Sequence, residues 1–279
     1  MKSLVVFFDM LTVVLLMKLA GSLGMNKGHI LLYAWSPIPI MYFGLDGHVD
    51  ALGIFLLILF LLLMIRHRVV ASALALGASA LAKVHPLFLA AFLFRPFTGA
   101  RRIVLPLIPL VVFAAGCWFY YEPTGGLTES FAVFSSTWDF NGSLFRLLWL
   151  ALGSNELAHL FTGALFAALV IVLALADRPI IDKVFLGFLG MMLLSPVVHP
   201  WYLTWLAALI VVRWSPAAFV LLGLSNLSNI TVYHYRLTGE WAQEPWLLVV
   251  EYLPVFILIG REIVRGDFTA SGTIPAGAS

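Results

Sequence analysis

Long apolar runs, punctuated by isolated basic residues, limit what this 279-residue chain can fold into. A helix needs about 20 apolar residues to cross the ~30 Å hydrocarbon core of a bilayer. Leu4–Leu23, Val49–Ile65, Ile103–Tyr121, Leu157–Ala176, Ala217–Val232 and Trp246–Gly260 reach or approach that length. Only 11% of the residues are charged, against about 25% in a soluble domain, and mean hydropathy is +1.02. Most of the chain therefore faces something other than water. The expected fold class is all-α, a polytopic transmembrane helical bundle over residues 1–265, with a small, polar, disordered tail at 266–279. A net charge of +2 gives no basis for binding nucleic acid. The lone cysteine, Cys117, excludes a disulfide framework and a thiolate cluster. Asp9 and Lys18 interrupt the first run, and no small-residue cleavage site follows it, so it reads as a helix and not as a cleaved signal.

Three further apolar stretches are broken. His29–Gly44 carries Pro37 and Pro39, Val69–Phe94 is cut by Lys83-Val84-His85-Pro86, and Val184–Val212 by Ser195-Pro196-Val197-Val198-His199-Pro200. Basic residues collect in cytoplasmic loops. Arg66, Arg68, Arg95, Arg101, Arg102, Arg178, Lys183, Arg213, Arg261 and Arg265 all fall at segment ends. If those ends share one side, Val69–Phe94 and Val184–Val212 must each be a hairpin with its His-Pro at the opposite, outer side. Irregular backbone at membrane depth is tolerated only where it is buried in protein or lines a wet cavity. The two tips therefore point to one outward-facing cavity.

Four constellations lie on that outer side. Asp46-Gly47-His48-Val49-Asp50 places two carboxylates four residues apart, on one face if the helix begins that early. Read as structure alone, Asp46 caps the helix and Asp50 occupies its first turn. Read as function, they form an acid–base or substrate-binding cluster with His48. Lys83, beside His85, needs an acidic partner such as Asp50 or Asp9, or a ligand phosphate. The stretch 131–149, with Trp138, Asp139, Asn141 and Arg146, suits a sugar or a headgroup, although an interfacial aromatic belt also explains its rings. Within it, Leu144–Leu152 reads as a short amphipathic helix lying in the interface. Finally, His199-Pro200-Trp201-Tyr202 puts an imidazole and a phenol on the expected cavity wall.

Trp35-Ser36-Pro37, Gly47-His48-Val49-Asp50-Ala51-Leu52, Gly77 through Lys83 and Pro86, Trp138-Asp139-Phe140-Asn141-Gly142-Ser143, and Ser195-Pro196 to Pro200-Trp201-Tyr202 occur in an order that resembles the GT-C superfamily of multispanning glycosyltransferases. The likeness is to bacterial relatives of the mannosyltransferase that builds the glycosylphosphatidylinositol anchor. It runs from about Leu31 to Leu206.

The resemblance implies transfer of a sugar from a polyprenyl-phosphate donor to a lipid or glycan acceptor at the outer face of a bacterial plasma membrane. It also implies about a dozen helices and an acidic catalytic residue in the first large outer loop. No acidic outer loop precedes Leu4, so the chain looks like such a protein without its first helix and catalytic loop. On this reading Asp50, Asp46 and His48 are the candidates for base. Lys83, His85 and His199 would hold the donor phosphate, and Trp138, Asn141, Trp201 and Tyr202 would shape the sugar site. No cofactor is required, and a divalent metal at Asp46, His48 and Asp50 stays open. The rival readings are a transporter or lipid flippase, whose broken helices meet near the midplane, and an inactive fragment or subunit.

Overall fold

The computed structural model describes residues 1–120, 129, 132–133 and 136–268. The expected tail beyond 268 and part of the 131–149 stretch lie outside these. Helix makes up 79% of the structure, and no strand occurs among the described residues. The longer helices are α1 (Lys2–Ser22), α2 (Asp50–Ile65), α3 (Val69–Ala82), α4 (Arg101–Trp118), α5 (Ser143–Leu152), α6 (Asn155–Leu175), α7 (Ile180–Leu194), α8 (Pro216–Leu224), α9 (Asn229–Thr238) and α10 (Pro245–Arg265). Among the described residues four helical stretches are long and apolar enough to cross a membrane: α1, α4, α6, and α8 continued through α9 as Pro216–Thr238.

Small side chains bring the central helices close, which suits packing that cannot rely on expelling water. The α3 face of Ala73, Gly77, Ser79 and Ala80 lies between α2 and α4. Ser79 Oγ donates to the Gly53 carbonyl at 2.7 Å and Ser72 Oγ to the Phe60 carbonyl at 2.9 Å, stitching α3 to α2. The core centres on Leu57, Ile58 and Leu61 of α2, Phe185 and Phe188 of α7, and the fully buried turn Thr204–Leu209.

Both broken stretches fold back on themselves. After α3 the chain extends at Lys83 and returns as a 3-10 helix, His85–Leu93. After α7 it crosses Ser195–His199 and returns through Pro200–Leu203 and Thr204–Leu209. The feet of the second hairpin are joined by Arg213 Nε and Asp182 Oδ1 at 2.9 Å, so its two ends do share one side. Arg95 donates to the Leu175 carbonyl at that same basic end. The helix expected across Ala217–Val232 is interrupted by a 3-10 turn, Ser225–Ser228. There, Ser225 and Ser228 hydroxyls bond back to the carbonyls of Leu222 and Ser225, which tightens the backbone. The amphipathic α5 forms as expected, with Phe145 buried and Leu147 and Leu150 outward.

Candidate functional site

The end opposite the basic one gathers the termini that carry polar residues: the start of α2, the end of α3, the end of α7 and the start of α10. The helix that would have put Asp46 and Asp50 on one face is not continuous. Ile40–Asp46 is a π-helical turn stopped by Gly47 at φ 78°, a left-handed backbone that favours glycine, and α2 begins only at Asp50. Asp46 is exposed on the first element, and Asp50 is buried at the head of the second. Asp46 makes no side-chain cap to α2, but Asp50 does occupy its first turn, as the structural reading expects.

Asp50 is the anchor of the site. Its Oδ1 accepts from the Lys83 ammonium at 2.9 Å and from the Trp205 indole N–H at 2.7 Å. Trp205 reaches it because Gly53, one turn along α2, has no side chain; a Cβ there would lie 2.5 Å from the indole. Lys83 also sits 3.7 Å from the centre of the Tyr202 ring. Its ammonium is thus held by a carboxylate on one side and a π face on another. The pairing with Asp50 is the structural partnership that Lys83 called for in the sequence.

Around this pair the aromatic rings interlock. Trp201 stacks against His199 at 4.1 Å and against His48 at 4.7 Å, so it orders both imidazoles. Tyr42 touches His48 and Trp201, and His85 meets Trp205 edge-on at 4.5 Å. His48 lies in the turn before α2. Burial lowers its affinity for a proton below the usual imidazole value, while the carboxylates of Asp50 and Asp46 oppose that shift. The buried ring nitrogens His85 Nε2, His159 Nε2 and His199 Nδ1 have no hydrogen-bond partner. Buried polar atoms are nearly always paired, so three orphans around one site are an informative departure.

Two of these histidines open onto a groove. A cavity of about 540 Å³ runs between α6 and α7, lined by Thr162, Gly163, Phe166, Met191 and Met192, and ends at Lys83, His85, His159 and Tyr202. A larger apolar cavity of about 850 Å³, between His29–Ile38 and α8, carries His29 as its one titratable group and none of the site residues.

Asn141 is turned inward. It is buried with a left-handed backbone (φ 58°). Its amide donates to Glu251 Oε1 at 3.0 Å and to the Val198 carbonyl, and accepts from Gln243 Nε2 at 2.9 Å. The Tyr252 hydroxyl binds its carbonyl at 2.8 Å. Asn141 therefore corrects the expectation of a direct sugar contact: it braces the wall, tying the loop before α5 to α10. Trp138 is 54% exposed and lies upstream of that wall. Asp46, His48 and Asp50 do not make a metal centre: among the described residues no three His, Cys, Asp or Glu side chains form a metal-ligand set.

Sequence reasoning passed over Trp205, His159, Gln243 and Glu251. Each sits in a stretch whose pattern reads as packing or as loop, and only long-range contacts give it a role. No protein-family model matches the chain, and no curated protein or solved structure matches it.

Proposed function

We propose that the chain is a multi-pass protein of the bacterial plasma membrane that transfers a sugar from a polyprenyl-phosphate donor to a lipid or glycan acceptor, at the face bearing Asp50 and Lys83. The carrying observation is the groove between α6 and α7: apolar along its length and headed by a lysine and two histidines with unpartnered ring nitrogens. That is the shape and polarity of an isoprenoid phosphate. The outward side chains of α6 beside it, Leu160, Phe161 and Leu165, are apolar and exposed, as a lipid-facing helix requires.

In this reading the polyprenyl chain lies along Phe166 and Met192, and its phosphate approaches Lys83. The ammonium moves off Asp50 toward the phosphate and neutralises the charge that develops as the anomeric carbon–oxygen bond breaks. His85, His159 and His199 supply N–H donors to the same oxygens. The acceptor hydroxyl attacks the anomeric carbon and gives its proton to His48, which is neutral at pH 7 because burial disfavours its charged form. Asp50 and Asp46 stabilise the imidazolium so formed. Asp50, buried and still bound by the Trp205 indole, is less accessible to the acceptor hydroxyl than the half-buried His48.

The test is donor affinity in protein reconstituted without its native lipid. Lys83→Ala alone strands a buried carboxylate, so the informative variant is Lys83→Ala with Asp50→Ala, which removes the pair together. The expected result is a folded protein that binds polyprenyl-phosphate sugar at least about tenfold more weakly, or about 1.4 kcal/mol. Unchanged affinity in that folded variant would sink the phosphate role.

A further inference from the structure

A second polar recess lies on the far side of the wall that Asn141 braces. It encloses about 320 Å³ and is lined by Asp139, Arg146, Trp241, Gln243 and the start of α10. We propose that this cleft binds a neutral, hydroxyl-bearing saccharide unit, the acceptor of the transfer; the acceptor role rests on the transferase reading above.

The chemistry of the lining selects the ligand. Arg146 Nη1 and Asp139 Oδ2 stand 3.7 Å apart, beyond hydrogen-bond distance, with both side chains more than a third exposed. A hydroxyl group both donates and accepts, so it can bridge that gap where an anion or a cation would satisfy only one partner. The opposite charges cancel, which favours a ligand without net charge. Arg146 is held in place by the Trp149 ring beneath its guanidinium, 4.4 Å away.

Trp241 offers a ring that is 50% exposed, with other parts packed on Phe140 and Tyr235. Half-covered indoles of this kind present a flat apolar surface to the C–H face of a sugar. Gln243 is fixed by two hydrogen bonds with Asn141, at 3.0 and 2.9 Å. A primary amide carries two N–H groups, and Asn141 takes one of them, leaving a second for a ligand.

The position suits an acceptor. The buried Phe140 ring touches Trp241 at 5.3 Å on the cleft side and His199 at 4.7 Å on the donor side. One side chain therefore separates the recess from the imidazole cluster. A saccharide seated on Trp241 thus lies one ring away from the His199 imidazole.

The experiment is saturation-transfer NMR on the full chain in an amphipol, so that no glycosidic detergent competes. The probes are the methyl glycosides of glucose, galactose and mannose, with glycerophosphoethanolamine as the alternative headgroup. Saturation of at least one glycoside is expected, weakened about tenfold or more by Trp241→Ala and retained in the Lys83→Ala/Asp50→Ala protein. If Trp241→Ala does not fold, Asp139→Asn and Trp241→Phe carry the same comparison with less disturbance. The proposal is overturned if no glycoside responds, if only the zwitterionic headgroup does, or if the glycoside signal depends on Lys83 and Asp50 and not on Trp241. The transferase reading fails separately, on loss-free donor binding in the double variant. Saccharide binding that maps to Trp241 in a protein indifferent to polyprenyl phosphate leaves this site standing alone.

Discussion

Two ion pairs of the same length, 2.9 Å, sit at opposite ends of this bundle, and their surroundings differ. At the basic end, Arg213 and Asp182 are both nearly sealed, with side chains 5% and 7% exposed. Arg213 spends further N–H groups on the carbonyls of Trp214 and Asp267. Beside it, Glu262 accepts from Ser215 and from the Ala217 amide, capping α8. At the other end Asp50 is just as buried, but Lys83 is 25% exposed and faces a groove with unpartnered imidazole nitrogens. A sealed pair whose arginine is bonded further to the surrounding backbone joins segments. A pair with one open partner can exchange it for a ligand. The comparison separates what holds the hairpin feet together from what is available for chemistry.

The sharpest way to break this comparison is to cut each pair in turn. Arg213→Ala leaves Asp182 buried and uncompensated, a loss of about 3–5 kcal/mol for such pairs. Thermal unfolding in lipid nanodiscs should show it, with transfer per folded molecule unchanged. Lys83→Ala with Asp50→Ala should do the reverse, lowering transfer by about 10²–10³-fold while the protein remains folded. Equal loss of stability in the two variants would mean that the ends do the same job.

Smaller effects sharpen the picture. Gly53→Ala drives a methyl into the Trp205 indole and should cost about 1–3 kcal/mol by overpacking. It should also loosen Asp50, so transfer should fall further than unfolding alone explains. Glu262→Gln keeps one carbonyl acceptor for Ser215 or Ala217 and should cost about 1 kcal/mol, read by the same unfolding assay, with no change in transfer. The pH profile carries the finest distinction. If His48 is the base of the proposed transfer, its lowered proton affinity means that transfer should stay level at neutral pH and fall only below the ordinary imidazole value of about 6.5, as proton uptake blocks the base. His48→Gln should remove that acid limb, and a limb that survives the substitution would assign it to another group.

Much of the framework was legible in the sequence because lipid solubility writes itself into composition. Apolar runs bounded by arginines locate nearly every long helix, and Arg68, Arg95, Lys183 and Arg213, if they share one side, imply the two hairpins. The proline at each His-Pro tip marks where the returning 3-10 helix begins. A boundary moved where a local residue overrode periodicity: Gly47 separates Asp46 from Asp50, whereas the run at Ala217–Val232 persists as the helical stretch Pro216–Thr238 with a 3-10 turn inside it. Asn141 was read as a contact for sugar because its neighbours are aromatic, yet its amide faces Glu251 and Gln243, more than a hundred residues away.

The all-helical class and the long apolar runs follow from local chemistry: hydrophobic length and breaker residues act within a few turns and leave a trace along the chain. The partnership of Lys83 with Asp50, the seat of Trp205 against Gly53, the Phe140 wall and the two recesses on either side of it exist only once distant segments meet. Their geometry depends on how closely helices approach and on which polar atoms are left over after packing. Neither quantity has a period along the chain, so only the tertiary structure could decide them.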